Sequence, residues 1–206
     1  PLQGQGWLSQ WTVERWGESD AVLTYRHESA EWPWAYRARQ EFRVEESVVW
    51  VRLTCKNESD APMPCGLGQH PYFPCTSQTR IETRVSHAWT IDHHVLPVDR
   101  VPATGRYDLN DRPVCGQGLD NGFGGWSGRV LMNDPDWPYE LELSSPEARF
   151  FQIYSPASGG FFVAEPVSHA NAAMNAPESD WPELGFRVLE PGEEMLLDMR
   201  IEARAK

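Results

Sequence analysis

Alternation of apolar and polar residues with a period of two constrains this 206-residue chain more than any other feature. Trp34, Tyr36, Ala38, Gln40, Phe42 and Val44 fall on one face of a segment whose other face is Arg37, Arg39, Glu41, Arg43 and Glu45. Val49, Val51, Leu53 and Cys55 oppose Trp50, Arg52 and Thr54; Tyr139, Leu141 and Leu143 oppose Glu140 and Glu142; Met195, Leu197, Met199 and Ile201 oppose Asp198, Arg200 and Glu202. Successive side chains of a strand point to opposite faces, so each segment reads as an antiparallel strand with one face on a core and one in water. Turn-forming stretches separate them at residues 57–64, 102–105, 116–128, 156–160 and at Pro191-Gly192. No amphipathic helix of ten residues is evident, and residues 169–175 fit one short turn. With 17 prolines and 16 glycines, the pattern predicts an all-β fold, a large antiparallel β-sandwich formed by residues 1–206 as one domain.

Composition narrows the functional classes. A formal net charge of -12 repels phosphate backbones and disfavours nucleic acid as a partner. No run of 18 apolar residues exists to span a membrane as a helix. The opening Pro1-Leu2-Gln3-Gly4-Gln5-Gly6-Trp7 is neither a signal peptide nor a basic tail, and reads as a chain entered part-way through a domain. Cys55, Cys65, Cys75 and Cys115 contain no C-x-x-C pair and are expected as buried or free thiols in a reducing, cytoplasmic setting. In that setting the sequon Asn57-Glu58-Ser59 is a chance match. Asp92-His93-His94 holds metal-ligating groups, but neighbours on a strand face opposite ways, so no metal is expected. Neither a phosphate-cradling P-loop nor a dinucleotide fingerprint occurs. An unpaired edge strand would favour a homodimer.

Two segments carry chemistry. Gly66-Leu67-Gly68-Gln69-His70-Pro71-Tyr72-Phe73-Pro74 ends a short apolar stretch on an imidazole fixed by prolines. Phe161-Phe162-Val163-Ala164-Glu165-Pro166-Val167-Ser168-His169 places a carboxylate late in a hydrophobic strand-like run. Imidazole exchanges protons near neutrality, and apolar flanks raise the basicity of a carboxylate, so His70 and Glu165 suit reversible proton transfer on a small polar substrate.

Both segments resemble the signatures of the aldose 1-epimerase (galactose mutarotase-like) family. Gly118-Leu119-Asp120-Asn121-Gly122-Phe123 resembles its Asp-x-x-Phe stretch, Phe150-Phe151-Gln152-Ile153-Tyr154-Ser155-Pro156 its Gln-x-Tyr-Thr-Pro strand, and Leu189-Glu190-Pro191-Gly192-Glu193 its closing turn. The resemblance runs from Pro1 to about Glu202. It implies the family's supersandwich, without its N-terminal strands. It implies anomer interconversion of a free hexose by ring opening, with Glu165 as base, His70 as acid, no cofactor and no metal. Asp120, Gln152, Tyr72 and Gln3 are the implied substrate contacts. Gln3 stands where the family carries a histidine; an amide donates and accepts hydrogen bonds but cannot exchange protons. Trp7, Tyr72, Trp126 and Trp181 flank the motifs, and one of them is expected to stack on the sugar.

Three other readings compete. A hexose-6-phosphate 1-epimerase needs arginines at the phosphate, for which Arg37, Arg39 and Arg43 would have to face the groove. A glycoside hydrolase would use Glu165 and Asp120 as its carboxylate pair and leave His70 unexplained. A non-catalytic carbohydrate-binding protein on the same fold would take Gln3 as the mark of lost catalysis.

Overall fold

The structure is a computed structural model and describes residues 4–206. Nine antiparallel strands form the larger sheet, in the spatial order β1 (Thr12–Trp16), β2 (Asp20–His27), β3 (Tyr36–Glu45), β4 (Val48–Asn57), β17 (Glu194–Ala205), β13 (Tyr139–Ser144), β12 (Arg129–Asn133), β7 (Arg80–Thr83) and β10 (Arg112–Pro113). Six strands form the smaller sheet: β6 (Tyr72–Pro74), β15 (Phe161–Val167), β14 (Phe150–Ser155), β11 (Leu119–Gly124), β8 (His87–Ile91) and β9 (Pro97–Pro102). β5 (Met63–Cys65) and β16 (Arg187–Leu189) make a small ribbon of their own.

The alternation seen in the sequence sorts the faces. Val51, Leu197, Leu143, Val130, Met132 and Ile81 of the larger sheet share one buried cluster with Phe162, Ala164, Phe151, Ile153, Leu119, Phe123 and Ala88 of the smaller. Burying a side chain of this size contributes about 1.5–3 kcal/mol each, which makes this apolar layer the main source of stability. Residues between these positions turn away from the core, and Glu165, Gln152 and Asp120 are among them.

Several expectations are corrected. Residues 116–128 were expected to be a turn, yet they contain β11. Gly122 and Gly124 are extended and serve packing: a Cβ at Gly124 would collide with the His87 ring. Cys75 and Cys115 are not free thiols but a disulfide, with Cα atoms 5.7 Å apart across 40 residues of sequence. That pairing follows from the fold, which brings the end of β6 to the approach of β11, and no local spacing announces it. Cys55 and Cys65 are free and buried, as expected. Asn57 is 0 % exposed, and its side-chain amide donates to the carbonyls of Ala61 and Leu189, so it serves as an internal tie. Asp92-His93-His94 lies in the turn between β8 and β9 rather than on a strand, and Asp92 Oδ1 accepts hydrogen bonds from the amides of His94 and Leu96. Among the described residues, no helix is long and apolar enough to cross a membrane.

Candidate active site

The segment before His70 is attached to β15 by its backbone. Ser168 N donates to Leu67 O (2.8 Å), Leu67 N donates to Ser168 Oγ (2.9 Å), and Gln69 N donates to Pro166 O (3.1 Å). Such pairing needs close approach, which explains the glycines. A Cβ on Gly66 would collide with the His169 ring, and one on Gly68 would press on Val167. Gln69 is buried, and its Nε2 donates to Leu197 O (3.0 Å) and Val51 O (3.3 Å), both on the larger sheet. The residue preceding His70 is thus fixed to both sheets, and Pro71, which comes next, restricts the backbone of His70 itself.

These ties place His70 Nε2 3.4 Å from Glu165 Oε1. Strand register supplies the rest. Gln152 lies directly opposite Glu165, Gly122 directly opposite Gln152, and Asp120 opposite Tyr154, so one face carries Glu165, Gln152 and Asp120 in adjacent strands. Gly122 leaves the floor low, with the Asn171 side chain 3.6 Å from where a Cβ would stand. The Tyr72 ring, 65 % exposed, stands 4.9 Å from the His70 ring and 5.5 Å from that of Phe161.

Electrostatics at the site are set by burial. Glu165 is only 7 % exposed, and desolvation, reinforced by the charge on Asp120, raises its pKa to about 8. Burial also raises Asp120, against the opposing effect of His70. Burial lowers His70, partly offset by a backbone hydrogen bond and by Asp120. The 3.4 Å His70–Glu165 contact is therefore not a resting ion pair: near neutrality the proton sits on the carboxyl and the imidazole is neutral. His169, packed edge-on against Phe186, is lowered to about 4 by burial and stays neutral.

Of the residues expected from sequence, His70, Glu165, Gln152, Asp120 and Tyr72 come together on one sheet face, while Gln3 lies outside the described residues. Trp126 is not a sugar platform: it is buried, stacks on Phe151 at 4.7 Å and donates its Nε1–H to Thr83 Oγ1. Trp181 packs against Phe186 and donates to Ala176 O. Arg37, Arg39 and Arg43 lie on β3 of the larger sheet, beside Glu58, Glu41 and Glu45, and none reaches this face. Two concavities open elsewhere: one of about 570 Å³ beside Arg26 and Glu58, another of about 740 Å³ beside Trp89, Arg100 and Arg149. Neither includes Glu165. Sequence reading missed two contributors. Asn171 carries no local signature beyond its place after Glu165, and the buried anchor Gln69 looks like an ordinary loop residue. Among the described residues, no three metal-ligating side chains gather in one place.

Comparison with known proteins agrees with this fold. The aldose 1-epimerase family matches residues 1–202. An Escherichia coli (strain K12) protein, "Uncharacterized protein YphB", is 31% identical over 212 residues, covering 97% of this chain and 70% of its own. A crystal structure of a "Putative aldose 1-epimerase" from Escherichia coli K12 superimposes with a TM-score of 0.89 at 29% identity, over 98% of this chain and 71% of that one. A galactose mutarotase-like protein from Clostridium acetobutylicum shares the fold, with a TM-score of 0.81 at 15% identity over 96% of this chain and 67% of that one. With its all-β sandwich and a histidine and glutamate meeting on the outer face of the smaller sheet, the chain belongs to the aldose 1-epimerase family.

Proposed function

We propose that this protein is a cofactor-independent isomerase that interconverts the α and β anomers of a free hexose. The observation that carries the reading is the His70–Glu165 pair: two groups able to exchange protons, 3.4 Å apart on the outer face of the smaller sheet, with Asp120 and Gln152 beside them. In the proposed cycle the carboxyl proton first passes from Glu165 to His70; Glu165, now a carboxylate, takes the proton of the anomeric hydroxyl while His70 protonates the ring oxygen. The C1–O5 bond breaks to leave an open-chain aldehyde, rotation about C1–C2 presents its other face, and reversal of both transfers closes the ring. Only protons move, and every one is returned, so the step needs no redox partner. Positioned acid–base help of this kind is worth roughly 10²–10⁴-fold.

Asp120 accepts hydrogen bonds from sugar hydroxyls, since a carboxylate can take two neighbouring donors at once, and Gln152 both donates and accepts beside it. Tyr72 walls the side next to His70. A neutral sugar fits the net charge of -12 and the distance of Arg37, Arg39 and Arg43 from the site better than a sugar phosphate does.

The test is optical rotation of freshly dissolved α-D-glucose and α-D-galactose. Wild type should hasten the approach to anomeric equilibrium and Glu165→Gln should not. A wild-type rate equal to the spontaneous one sinks the proposal.

A further inference from the structure

Away from the reacting pair, toward β8 and β9, the chemistry of the smaller sheet changes. Ala88 of β8 lies in the core, so His87 and Trp89 on either side of it turn outward. His87 stands opposite Gly124 of β11, which in turn stands opposite Phe150 of β14. β8 is three strands from β15; at roughly 4.8 Å per strand that is about 14 Å, farther than one hexose held at Glu165 reaches. The concavity of about 740 Å³ is floored by these rings: Trp89 meets His87 edge to face at 4.7 Å and lies 6.0 Å from Phe150. That volume suits a small ligand.

The floor is held firmly. Gly125, at φ 64°, approaches Ser86 so closely that a Cβ there would collide with its hydroxyl. Ser86 Oγ donates to Gly124 O (3.1 Å) and lies 2.8 Å from His87 Nδ1, which orients the ring. Burial, with the charge on Arg100, lowers the His87 pKa against the effect of Glu183, so the ring adds polarity without charge near neutrality.

The rim is charged. Arg149 stands on one side, its backbone carbonyl accepting from Trp126 N (3.3 Å). Arg100 stands on β9 and binds Glu183 at 3.1 Å, with both side chains largely in water, 54% and 76% exposed. The neighbouring Leu184 O accepts from Ala170 N (2.9 Å), which keeps this segment over the sheet. Of the described residues that line the concavity, two are arginines and Glu183 alone is a carboxylate. This leaves an excess of positive charge in a chain whose formal net charge is -12. An exposed ion pair such as Arg100–Glu183 contributes little, so a better-placed anion displaces it.

We propose that this concavity binds a phosphate monoester, with the phosphate between Arg100 and Arg149 in place of the Glu183 carboxylate and the body of the ester lying on Trp89. A carboxylate has two oxygens and is satisfied by one guanidinium, as Glu183 is by Arg100. A phosphate has three and can engage two guanidiniums from different strands at once. Trp89 offers a flat apolar face, which suits either the C–H face of a sugar or a nucleobase. The ester is a bound ligand here and undergoes no reaction.

Calorimetric titration at low salt with inorganic phosphate, glucose 6-phosphate and adenosine monophosphate is the test, with far-ultraviolet circular dichroism to check that each variant is folded. At least one ester should bind one per chain, about 3–10-fold tighter than inorganic phosphate, which has no body to lay on Trp89. Arg149→Ala, at an exposed position, should weaken that ester by about 10-fold or more. Glu183→Gln should tighten it by about 3–10-fold by removing the charge that competes for Arg100, a gain that a merely structural role for Glu183 would not produce. Glu165→Gln should leave the affinity unchanged, so the site stands or falls independently of the epimerase reading. Arg149-dependent binding of either ester upholds the site, and the tighter one identifies the body it is built for. No binding of either ester at millimolar concentration overturns the proposal, as does an affinity that Arg149→Ala leaves unchanged, that Glu183→Gln weakens, or that Glu165→Gln abolishes.

Discussion

The two sheets of this protein handle charge in opposite ways. On the larger sheet, charged side chains occupy the water-facing side and find partners there: Arg52 binds Asp198 through two hydrogen bonds of 2.7 Å, and Arg129 and Arg204 both reach Glu142 at about 3 Å. Its strands obey local rules, apolar inward and charged outward. The outer face of the smaller sheet instead buries Glu165 beside Asp120, and His70, the histidine within reach, is itself pushed toward neutrality. Two carboxyl groups withdrawn from water oppose folding, and they persist because the apolar layer beneath them is large. Where a sheet departs from local consistency, chemistry becomes possible.

Substitutions should separate the sheets. The largest effect is expected from Glu165→Gln, which should lower kcat/KM for mutarotation by about 10²–10⁴-fold while the far-ultraviolet circular dichroism stays unchanged. The same variant should be the more stable protein in alkali. Between the ordinary value of 4.5 and about 8 the unfolded chain binds fewer protons at this position than the folded one, so wild type loses stability as pH rises through that window and levels off above it. Calorimetric scans from pH 4.5 to 9 should show the Tm gap widening in favour of Glu165→Gln; a gap that does not move would mean the carboxyl is not desolvated.

Core truncations should be of similar size but blind to the sheet. Phe151→Ala in β14 should destabilise by about 3–5 kcal/mol and Leu197→Ala in β17 by about 2–5 kcal/mol, read from urea midpoints. Gln69→Leu should be smaller in stability, about 1–3 kcal/mol, yet should lower kcat because it frees the residue before His70 from the larger sheet. Loss of stability with full activity would remove Gln69 from any positioning role. The rate itself should be bell-shaped in pH, with an alkaline limb near 8 from loss of the last proton of the pair and an acid limb below 6.5 from its double protonation. The smallest effect belongs to the larger sheet's surface: Arg43→Ala breaks only a 3.5 Å exposed pair with Glu45 and should change stability by less than about 0.5 kcal/mol.

The contrast also explains what could be read in advance. β3, β4, β13 and β17 were legible because each has one wet face, and Met195, Leu197 and Met199 mark the dry one directly. β15 is buried on both faces over Phe162–Pro166, so its hydrophobic run shows no period, and only the charge on Glu165 stands out. β11 was hidden because Gly118, Gly122 and Gly124 have the composition of a turn; that Gly122 and Gly124 make room for Asn171 and His87 is a fact about distant segments. His70, Glu165 and Asp120 were legible as motifs resembling a family. Gln69, Asn171 and the Cys75–Cys115 pairing were not, since each depends on which strands become neighbours.

The Cys75–Cys115 bond has a bearing on backbone cleavage. It closes a loop of chain that begins just after Tyr72 and ends just before Asp120. The exposed tip at His93-His94 lies inside that loop, where a protease would find the backbone most accessible. A cut there would leave two fragments still joined through sulfur, with the strand beside His70 and the strand bearing Asp120 in one covalent piece. Under oxidising conditions a singly nicked protein should therefore keep its site assembled and run as one species until a reductant divides it.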